Sequence, residues 1–285
     1  MSIDDVLKMP KIAEVKAKLH GTLEGKLKTV TISTGKTGKY YASLLFDDGL
    51  PELEISSEGK AVGIALGLTH FAIISDGSKF DNPKPLKECE KNLKCKEHSL
   101  FLRKEKGSKR RGKARRIVAR VHEPSANTRK DFQHKLSRKL VKDNQVIVVE
   151  NLAVNNMVKN HCLAKAISDC GWSEFTLQLT DKAQKDGKTY LEMGRLFRLS
   201  KICQVGLNQV GSLPLNVGSW TCSKFQEKHD RDVNAAINIL HEDLRILALA
   251  TSATATGGNV RPHVLRNSSV SEAVAVEARS PRSIA

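Results

Sequence analysis

The chain has 285 residues, of which 40% are hydrophobic and 27% are charged. This length and hydrophobic content are enough for one sizeable core, with or without a small satellite domain. Its formal net charge of +16 at pH 7 favours phosphate-bearing polymers or anionic membrane surfaces as partners. No apolar run approaches the ~20 residues of a membrane span, and the N-terminus lacks the apolar segment of a signal peptide. We therefore expect a cytoplasmic protein with no membrane partner.

The first 60 residues predict a small antiparallel β region. Residues 11–23 alternate loosely between apolar and polar side chains. Residues 26–33 and 39–46 are rich in Val, Ile, Thr and Tyr, and a glycine-containing turn joins them. These three segments predict strands, and they place a β-rich unit at residues 1–58.

A second unit begins with two short apolar runs, residues 61–68 and 71–75, which predict a hairpin. The composition then changes, because residues 87–142 contain 20 lysines and arginines against 6 acidic residues. Apolar side chains recur there mostly at helical spacing. A proline inside a helix costs ~3 kcal/mol or more, so Pro124 predicts two helices that join near residues 123–125.

Strands and helices alternate in the rest of the chain. Residues 145–149 form a mainly β-branched run followed by Glu150, which predicts a buried strand that ends in a carboxylate. The later segments predict a helix over 163–185, a strand over 189–193, an irregular stretch over 201–228 and a helix over 232–249. The tail, residues 251–285, is poor in core-forming residues and is predicted to be disordered.

This order of elements is typical of an RNase H-like nuclease, whose strands bring distant carboxylates to one edge of a sheet. Such carboxylates hold two Mg²⁺ ions about 4 Å apart during phosphodiester cleavage, and Mg²⁺ prefers oxygen ligands. We therefore predict an α/β fold in which an RNase H-like (RuvC-like) mixed sheet with helices follows a small antiparallel β region.

Four stretches carry a specific resemblance to a known family. They are residues 63–67 (Gly-Ile-Ala-Leu-Gly), 130–137, 148–152 (Val-Val-Glu-Asn-Leu) and 229–236 (His-Asp-Arg-Asp-Val-Asn-Ala-Ala). Over about residues 11–249 the chain resembles the OrfB/TnpB family, which bacterial insertion sequences encode and which is related to type V CRISPR effectors. The resemblance implies a transposase-associated, RNA-guided DNA endonuclease with a RuvC-like domain. Its partners would be guide RNA and DNA, with no small-molecule substrate.

The resemblance also implies a catalytic site with Mg²⁺ as cofactor. Glu150 and Asp232 occupy two of the family's three catalytic positions, and Asp230 is the weaker candidate beside Asp232. The first motif of the family reads Gly-Ile-Asp-Leu-Gly, and this chain has Ala65 in place of the aspartate. A methyl group cannot coordinate Mg²⁺, and losing one member of a catalytic unit usually costs several orders of magnitude in rate. We therefore predict that nuclease activity is lost.

A zinc ribbon between the second and third motifs is likewise implied, built from two C-x-x-C knuckles. Here the first knuckle keeps Cys203 but has Gly206, and the second keeps Cys222 but has Phe225. The incomplete site could bind Zn²⁺ if His229 joined the two thiols, but two free thiols without zinc are the favoured interpretation. Because structural zinc contributes folding free energy, residues 201–228 should then be poorly ordered.

The family comparison divides the chain into five parts. They are a remnant of the wedge-like N-terminal domain (1–58), a RuvC-like domain with basic helices (59–200), a degenerate zinc-ribbon insert (201–228), the last RuvC-like motif and helix (229–250) and a disordered tail (251–285). Members usually have a longer N-terminal portion with a helical guide-recognition region, whereas this chain opens inside the β-rich part that follows it.

The basic stretch is predicted to bind phosphates rather than to be only a solvated face. The candidate nucleic-acid-binding residues are Lys109, Arg110, Arg111, Lys113, Arg115, Arg116 and Arg120. Trp172 and Trp220 are expected to pack in the interior rather than to stack on bases. His70, His161 and His229 receive no catalytic role.

Three hypotheses follow for function. The chain is a nuclease-dead, nucleic-acid-binding relative that could occupy and block a DNA site. Alternatively, it is a residually active nuclease in which Asp230 or Asp81 replaces the missing carboxylate. In the third hypothesis it is the product of a decaying transposon gene without a selected role, which the scattered pattern of losses favours over a refined repressor.

Overall fold

The computed structural model describes residues 6–9, 12–18, 25–47, 49, 51, 53–193, 199–206, 208–211, 213–214 and 217–254. No helix in these ranges combines the length and the apolar character needed to cross a bilayer. The predicted disordered tail lies outside the described residues from position 255 onward, whereas residues 251–254 continue the last helix.

Eleven strands and six α-helices make up the described chain. The strands are β1 (Val6–Met9), β2 (Ile12–Lys16), β3 (Lys26–Thr34), β4 (Tyr40–Asp47), β5 (Ala61–Leu66), β6 (His70–Ile74), β7 (Lys79–Asp81), β8 (Val146–Glu150), β9 (Thr189–Met193), β10 (Ser219–Thr221) and β11 (Lys228–Asp230). The α-helices are α1 (Pro85–Phe101), α2 (Lys109–Asp143), α3 (Val154–Met157), α4 (His161–Cys170), α5 (Trp172–Lys185) and α6 (Arg231–Thr254), and a short 3₁₀ turn spans Leu199–Lys201.

The N-terminal β region consists of two antiparallel hairpins, β1–β2 and β3–β4. The tip of the second hairpin contacts α2 through the Glu123 carboxylate, which accepts hydrogen bonds from Lys39 Nζ at 3.0 Å and Thr37 Oγ1 at 3.3 Å. The predicted pairing of residues 26–33 with 39–46 is confirmed. The strand predicted over 11–23 is confirmed at Ile12–Lys16, and its partner β1 was not predicted.

A five-stranded mixed sheet forms the centre of the fold, with strand order β7-β6-β5-β8-β9. Strand β8 pairs in parallel with both β5 and β9, whereas β5, β6 and β7 form an antiparallel meander. The predicted hairpin and the buried strand that ends at Glu150 are both present, and the α/β class is confirmed.

Helices cover both faces of this sheet. Side chains alternate across a strand, so Ile147 and Val149 pack into a core with α2, α4 and α5, whereas Val146 and Val148 pack against α6. Strand β8 is thus buried on both faces, as its continuous apolar run predicts. By the same alternation, Glu150 and Ala65 lie on the α6 side of the sheet.

The predicted break at Pro124 is wrong, because α2 runs without interruption from Lys109 to Asp143. The residues beside the proline hold tertiary contacts that compensate for its cost. Ser125 is buried and donates a hydrogen bond to the Pro85 carbonyl at 3.2 Å, and Glu123 binds the β3–β4 hairpin. Packing against α1 and this hairpin therefore outweighs the local propensity.

The single helix predicted over residues 163–185 is also wrong, because the chain turns between α4 and α5 at Gly171, where φ is +64°. The buried Gln133 amide donates to the carbonyls of Cys170 and Gly171 at 2.8 and 3.0 Å. These bonds satisfy carbonyls at the helix end, and glycine adopts the left-handed conformation readily.

The insert between β9 and α6 has a small core of its own, which consists of Cys203, Leu213, Trp220 and Cys222. The expectation that residues 201–228 are poorly ordered stays a prediction. Trp172 and Trp220 are both buried, which confirms that they act as packing residues.

Candidate functional site

One pocket brings together the three positions singled out from the sequence. Ala65, Glu150 and Asp232 all line a cavity of about 710 Å³ at the ends of β5 and β8 and at the start of α6. The same cavity is lined by His70, Lys201 and Arg231.

The close contact of α6 with β5 explains why Asp232 reaches this pocket. A side chain at Gly63 would meet the Ala236 carbonyl oxygen at 2.2 Å, so the helix backbone lies directly on the strand at that point. Asp232 precedes Ala236 by about one helical turn, and Ala65 follows Gly63 by two residues of strand. Asp232 and Ala65 therefore lie on the same side of the point where α6 crosses β5.

Glu150 lies at the end of β8 and accepts a hydrogen bond from the Leu66 backbone N–H at 3.3 Å. Burial raises the pKa of the Glu150 carboxyl above its ordinary value, the Leu66 N–H opposes this shift, and the negative charge of Asp232 adds to it. The two carboxylates are thus close enough to repel each other, as paired metal ligands do in the absence of a cation.

Ala65 has 5% of its surface exposed and packs with Ile73, Val148 and Ala235. Its methyl group contributes no oxygen to the pocket. Across the described parts of the chain, no group of three or more His, Cys, Asp and Glu side chains could hold a metal ion. The residues present therefore do not fit the two-ion site that the family resemblance implies.

The two aspartates considered as replacements are engaged elsewhere. Asp230 Oδ1 accepts from the backbone N–H groups of Asp232 and Val233, both at 3.1 Å, and Oδ2 lies 2.6 Å from Lys79 Nζ. Burial by itself would raise the pKa of Asp230, but Lys79 and these N–H groups hold this pKa below its ordinary value. Asp81 pairs with His70 at 2.8 Å. Asp230 thus acts as the N-cap of α6.

Cys203, Cys222 and His229 meet in the interior of the insert, where all three are buried. Cys203 Sγ lies 3.1 Å from His229 Nε2, a hydrogen-bonding distance. Tetrahedral zinc, with bonds of about 2.3 Å to sulfur and 2.0–2.1 Å to nitrogen, would hold these atoms about 3.5 Å apart. Among the described residues, these three side chains are not arranged as a group that could hold a metal ion.

The seven candidate nucleic-acid-binding residues occupy the first third of α2, which Ser108 caps through a hydrogen bond from the Arg111 N–H at 3.2 Å. Six of them are exposed, and Arg111 is partly buried. None of the seven forms an ion pair within the described part of the chain. This end of α2 is therefore a dense and uncompensated array of cations.

Sequence reasoning missed the two cations that line the pocket. Arg231 lies between the two aspartates of the last motif, so its position next to the site could have been inferred. Lys201 follows a stretch with no recognisable pattern, and nothing in the sequence signals its placement.

The fold and the pocket define an α/β protein with a basic helix. Two carboxylates lie in its pocket, between two strand ends and the start of a helix. Two family models match it: a probable transposase of the OrfB, IS605 type at residues 50–161 and a Cas12f1-like TNB domain at residues 172–239. The chain belongs to the OrfB/TnpB family.

Two relatives show the extent of the similarity. A protein of Streptomyces pristinaespiralis, provisionally named an RNA-guided DNA endonuclease, is 42% identical over 82% of this chain and 56% of its own length. InsQ of Escherichia coli K12, named in the same way, is 27% identical over 84% of this chain and 62% of its own length. The chain thus spans little more than half the length of these relatives.

Two solved structures are also similar. The CRISPR–Cas12f ternary complex matches with a TM-score of 0.48 at 16% identity over 74% of this chain and 44% of that one. The Cas12f1–sgRNA–target DNA complex matches with a TM-score of 0.44 at 14% identity over 75% and 56%.

Proposed function

We propose that this chain is an RNA-guided, DNA-binding protein of its family that occupies nucleic acid without cutting it. The observation that carries the proposal is Ala65, a methyl group in the pocket where Glu150 and Asp232 face each other. We assign residues 59–200 and 229–250 to a RuvC-like nuclease domain, residues 1–58 to a wedge-like remnant and residues 201–228 to a degenerate zinc ribbon.

Loss of cutting follows from the charge available in the pocket. Two-metal catalysis needs ligands that hold both cations and so stabilise the attacking and leaving oxygens. Two carboxylates remain at this site, and the Ala65 methyl group supplies no oxygen as a third ligand. Glu150 and Asp232 thus keep the catalytic positions without a third ligand to complete them.

Titration with Mn²⁺ tests this loss directly. The wild-type chain should bind Mn²⁺ weakly, without the spin-coupled signal of a paired site in electron paramagnetic resonance. Glu150→Gln should weaken this binding further. A tight, spin-coupled pair of Mn²⁺ ions in the wild-type chain would contradict the proposed loss.

We propose that nucleic acid binds to the exposed Lys and Arg side chains of α2. Each phosphate contact contributes about 0.9 to the slope of log affinity against log salt for B-DNA, and about 0.7 for single strands. Changing Arg115, Arg116 and Arg120 to Gln should therefore lower the slope by about 2–3.

A matched control removes three exposed positive charges elsewhere, by changing Lys18, Lys159 and Lys185 to Gln. This control should leave the slope nearly unchanged, and both variants should unfold at wild-type temperatures. If the two triple variants lost affinity and slope equally, the charge of the whole chain rather than α2 would be responsible, and the proposed surface would be wrong.

The proposal that a guide RNA directs DNA binding is based on the names of the relatives, and it is tested separately. RNA that co-purifies with the chain should be a defined species when it is sequenced. Random cellular fragments would contradict guided binding and would favour the decaying-gene hypothesis. The residually active alternative is disfavoured, because Asp230 caps α6 and Asp81 is paired with His70.

A further inference from the structure

We propose that the insert folds without a metal ion because Phe225 and Gly206, which replace two zinc-binding cysteines of the family pattern, form a complementary contact. In this arrangement Cys203, Cys222 and His229 are a hydrogen-bonded interior rather than a ligand set. The inference concerns how residues 201–230 are stabilised, and it is independent of whether the chain binds or cuts nucleic acid.

The Phe225 ring lies directly on Gly206. A Cβ atom built at position 206 would come within 2.1 Å of both Cε2 and Cζ of this ring, far inside van der Waals contact. The φ angle of Gly206 is not positive, so an alanine or cysteine could adopt its backbone conformation. The ring, which belongs to a 41% exposed Phe225, occupies the space that a side chain at position 206 would need.

The two replacements therefore explain each other. In the family pattern, positions 206 and 225 hold the second thiol of each knuckle and meet at the metal. Here the larger side chain at 225 fills the space that the absent side chain at 206 leaves. Two independent losses would have no reason to match in size, whereas a repacked site requires such a match.

The two thiols and His229 have hydrogen-bonding partners without a cation. His229 Nε2 bonds to Cys203 Sγ at 3.1 Å, and Asn208 Nδ2 donates to Cys222 Sγ at 3.7 Å. The Trp220 ring packs on the His229 ring with centroids 4.7 Å apart. Aromatic packing and hydrogen bonds thus occupy the place of metal–thiolate bonds.

The core of the insert is also attached firmly to α6. The side-chain amides of Asn234 and Asn238 both donate to the Ile202 carbonyl, at 2.8 and 2.7 Å, immediately before Cys203. The Gln204 N–H donates to Asn234 Oδ1 at 3.1 Å. These bonds hold the first knuckle in place where a zinc ion would otherwise do so.

Metal content is the first test. The full chain, purified in zinc-containing buffer and then desalted, should contain well below one equivalent of zinc by inductively coupled plasma mass spectrometry. A chelator should change neither its melting temperature nor the amide hydrogen exchange of β10 and β11. A full equivalent of zinc whose removal exposes these amides would overturn the proposal.

A double-mutant cycle tests the contact itself. Gly206→Ala should displace the ring, lower the melting temperature by several degrees and speed exchange in β10 and β11. In a Phe225→Ala background, the same Gly206→Ala change should have little further effect. If Gly206→Ala lowered the melting temperature equally in both backgrounds, the ring would not be what position 206 accommodates.

A gain-of-metal variant completes the experiment. Gly206→Cys combined with Phe225→Cys should restore four thiols in two knuckles, bind about one equivalent of zinc and become sensitive to chelator. Either single change should give a less stable chain than this pair. A double variant that folds but binds no zinc would contradict the assignment of these positions as former ligand sites.

Discussion

The pocket above the sheet and the interior of the insert both depart from the metal-binding pattern that the family resemblance implies, but the surrounding residues differ between them. In the insert, Phe225 covers Gly206, and the remaining thiols are buried. In the pocket, Ala65 leaves a cavity in which Glu150 and Asp232 still face each other. Packing can replace the folding free energy of a structural metal, whereas it cannot supply the charge that a catalytic metal site needs.

Helix α6 connects the two regions. At the pocket its backbone touches β5 at Gly63, and at the insert its Asn234 and Asn238 amides bind the Ile202 carbonyl. Damage to the insert should therefore reach the pocket through the start of α6, where Asp232 lies. Variants in the pocket, in the insert and in α6 therefore test how far the stability of one region depends on the other.

The largest effect is expected from Ala65→Asp, which places a third carboxylate in a nearly buried position. Without metal this change should destabilise the chain by about 3–5 kcal/mol, as an uncompensated buried charge does. Mg²⁺ at 100 times its dissociation constant should restore about 2.7 kcal/mol. Chemical denaturation with and without Mg²⁺ measures both values.

Ala65→Asn is the matched control, since it has a similar shape but no charge. It should be less destabilising and should show no response to Mg²⁺. An equal Mg²⁺ response in the Asn variant would mean that the ion binds elsewhere.

Trp220→Ala should have the next largest effect, because it removes the largest side chain of the insert core. A loss of about 3 kcal/mol is typical of such a truncation, and it should appear as faster amide exchange in β10 and β11. Trp220→Phe should cost much less, because the ring contact with His229 is kept and the indole N–H has no partner within the described structure. Equal effects of the two changes would show that the ring is not part of this core.

Asp243 in α6 should make stability depend on pH. Burial, and secondly the charge of Glu242, raise the pKa of Asp243 from its ordinary value of 3.8 to about 6. The folded state thus holds this proton more tightly than the unfolded state, so stability is lost as pH rises from about 4 through about 6. Asp243→Asn should stabilise the chain at pH 7.5 by about 1–2 kcal/mol, less than the full shift implies.

Thermal unfolding at several pH values checks this expectation. The gain from Asp243→Asn should disappear below pH ~4, where the wild-type carboxyl is protonated in both states. A gain of the same size at every pH would point to a change in packing instead.

The smallest effect is expected at the start of α6. Asp230→Ala removes the cap and should cost about 1 kcal/mol. Lys79→Ala removes the partly exposed ion pair but keeps the cap, and it should cost at most about 1 kcal/mol. Circular dichroism melts distinguish the two. A larger loss from Lys79→Ala would mean that the ion pair, rather than the cap, fixes the start of the helix.

The sequence predicted the sheet well because strands such as 146–150 have an apolar pattern that needs no distant information. It also predicted that Glu150, Asp232 and Ala65 share one site, through a motif resemblance. The continuous helix through Pro124 and the turn at Gly171 depend on tertiary contacts with Pro85 and Gln133, which no local pattern contains.

The packing inside the insert was not predicted, for a related reason. From the sequence, Gly206 and Phe225 are two separate losses, and their contact becomes visible in three dimensions. Lys201 reaches the pocket for similarly non-local reasons, because its position depends on how the insert docks on α6.

Cleavage of supercoiled plasmid DNA by the purified chain and its co-expressed RNA, in Mg²⁺ or Mn²⁺, tests the central claim most directly. The wild-type chain should bind the DNA but neither nick nor linearise it, and Glu150→Gln should behave in the same way. Cleavage by the wild-type chain that Glu150→Gln abolishes would contradict this claim, because the pocket would then cut DNA without a carboxylate at position 65.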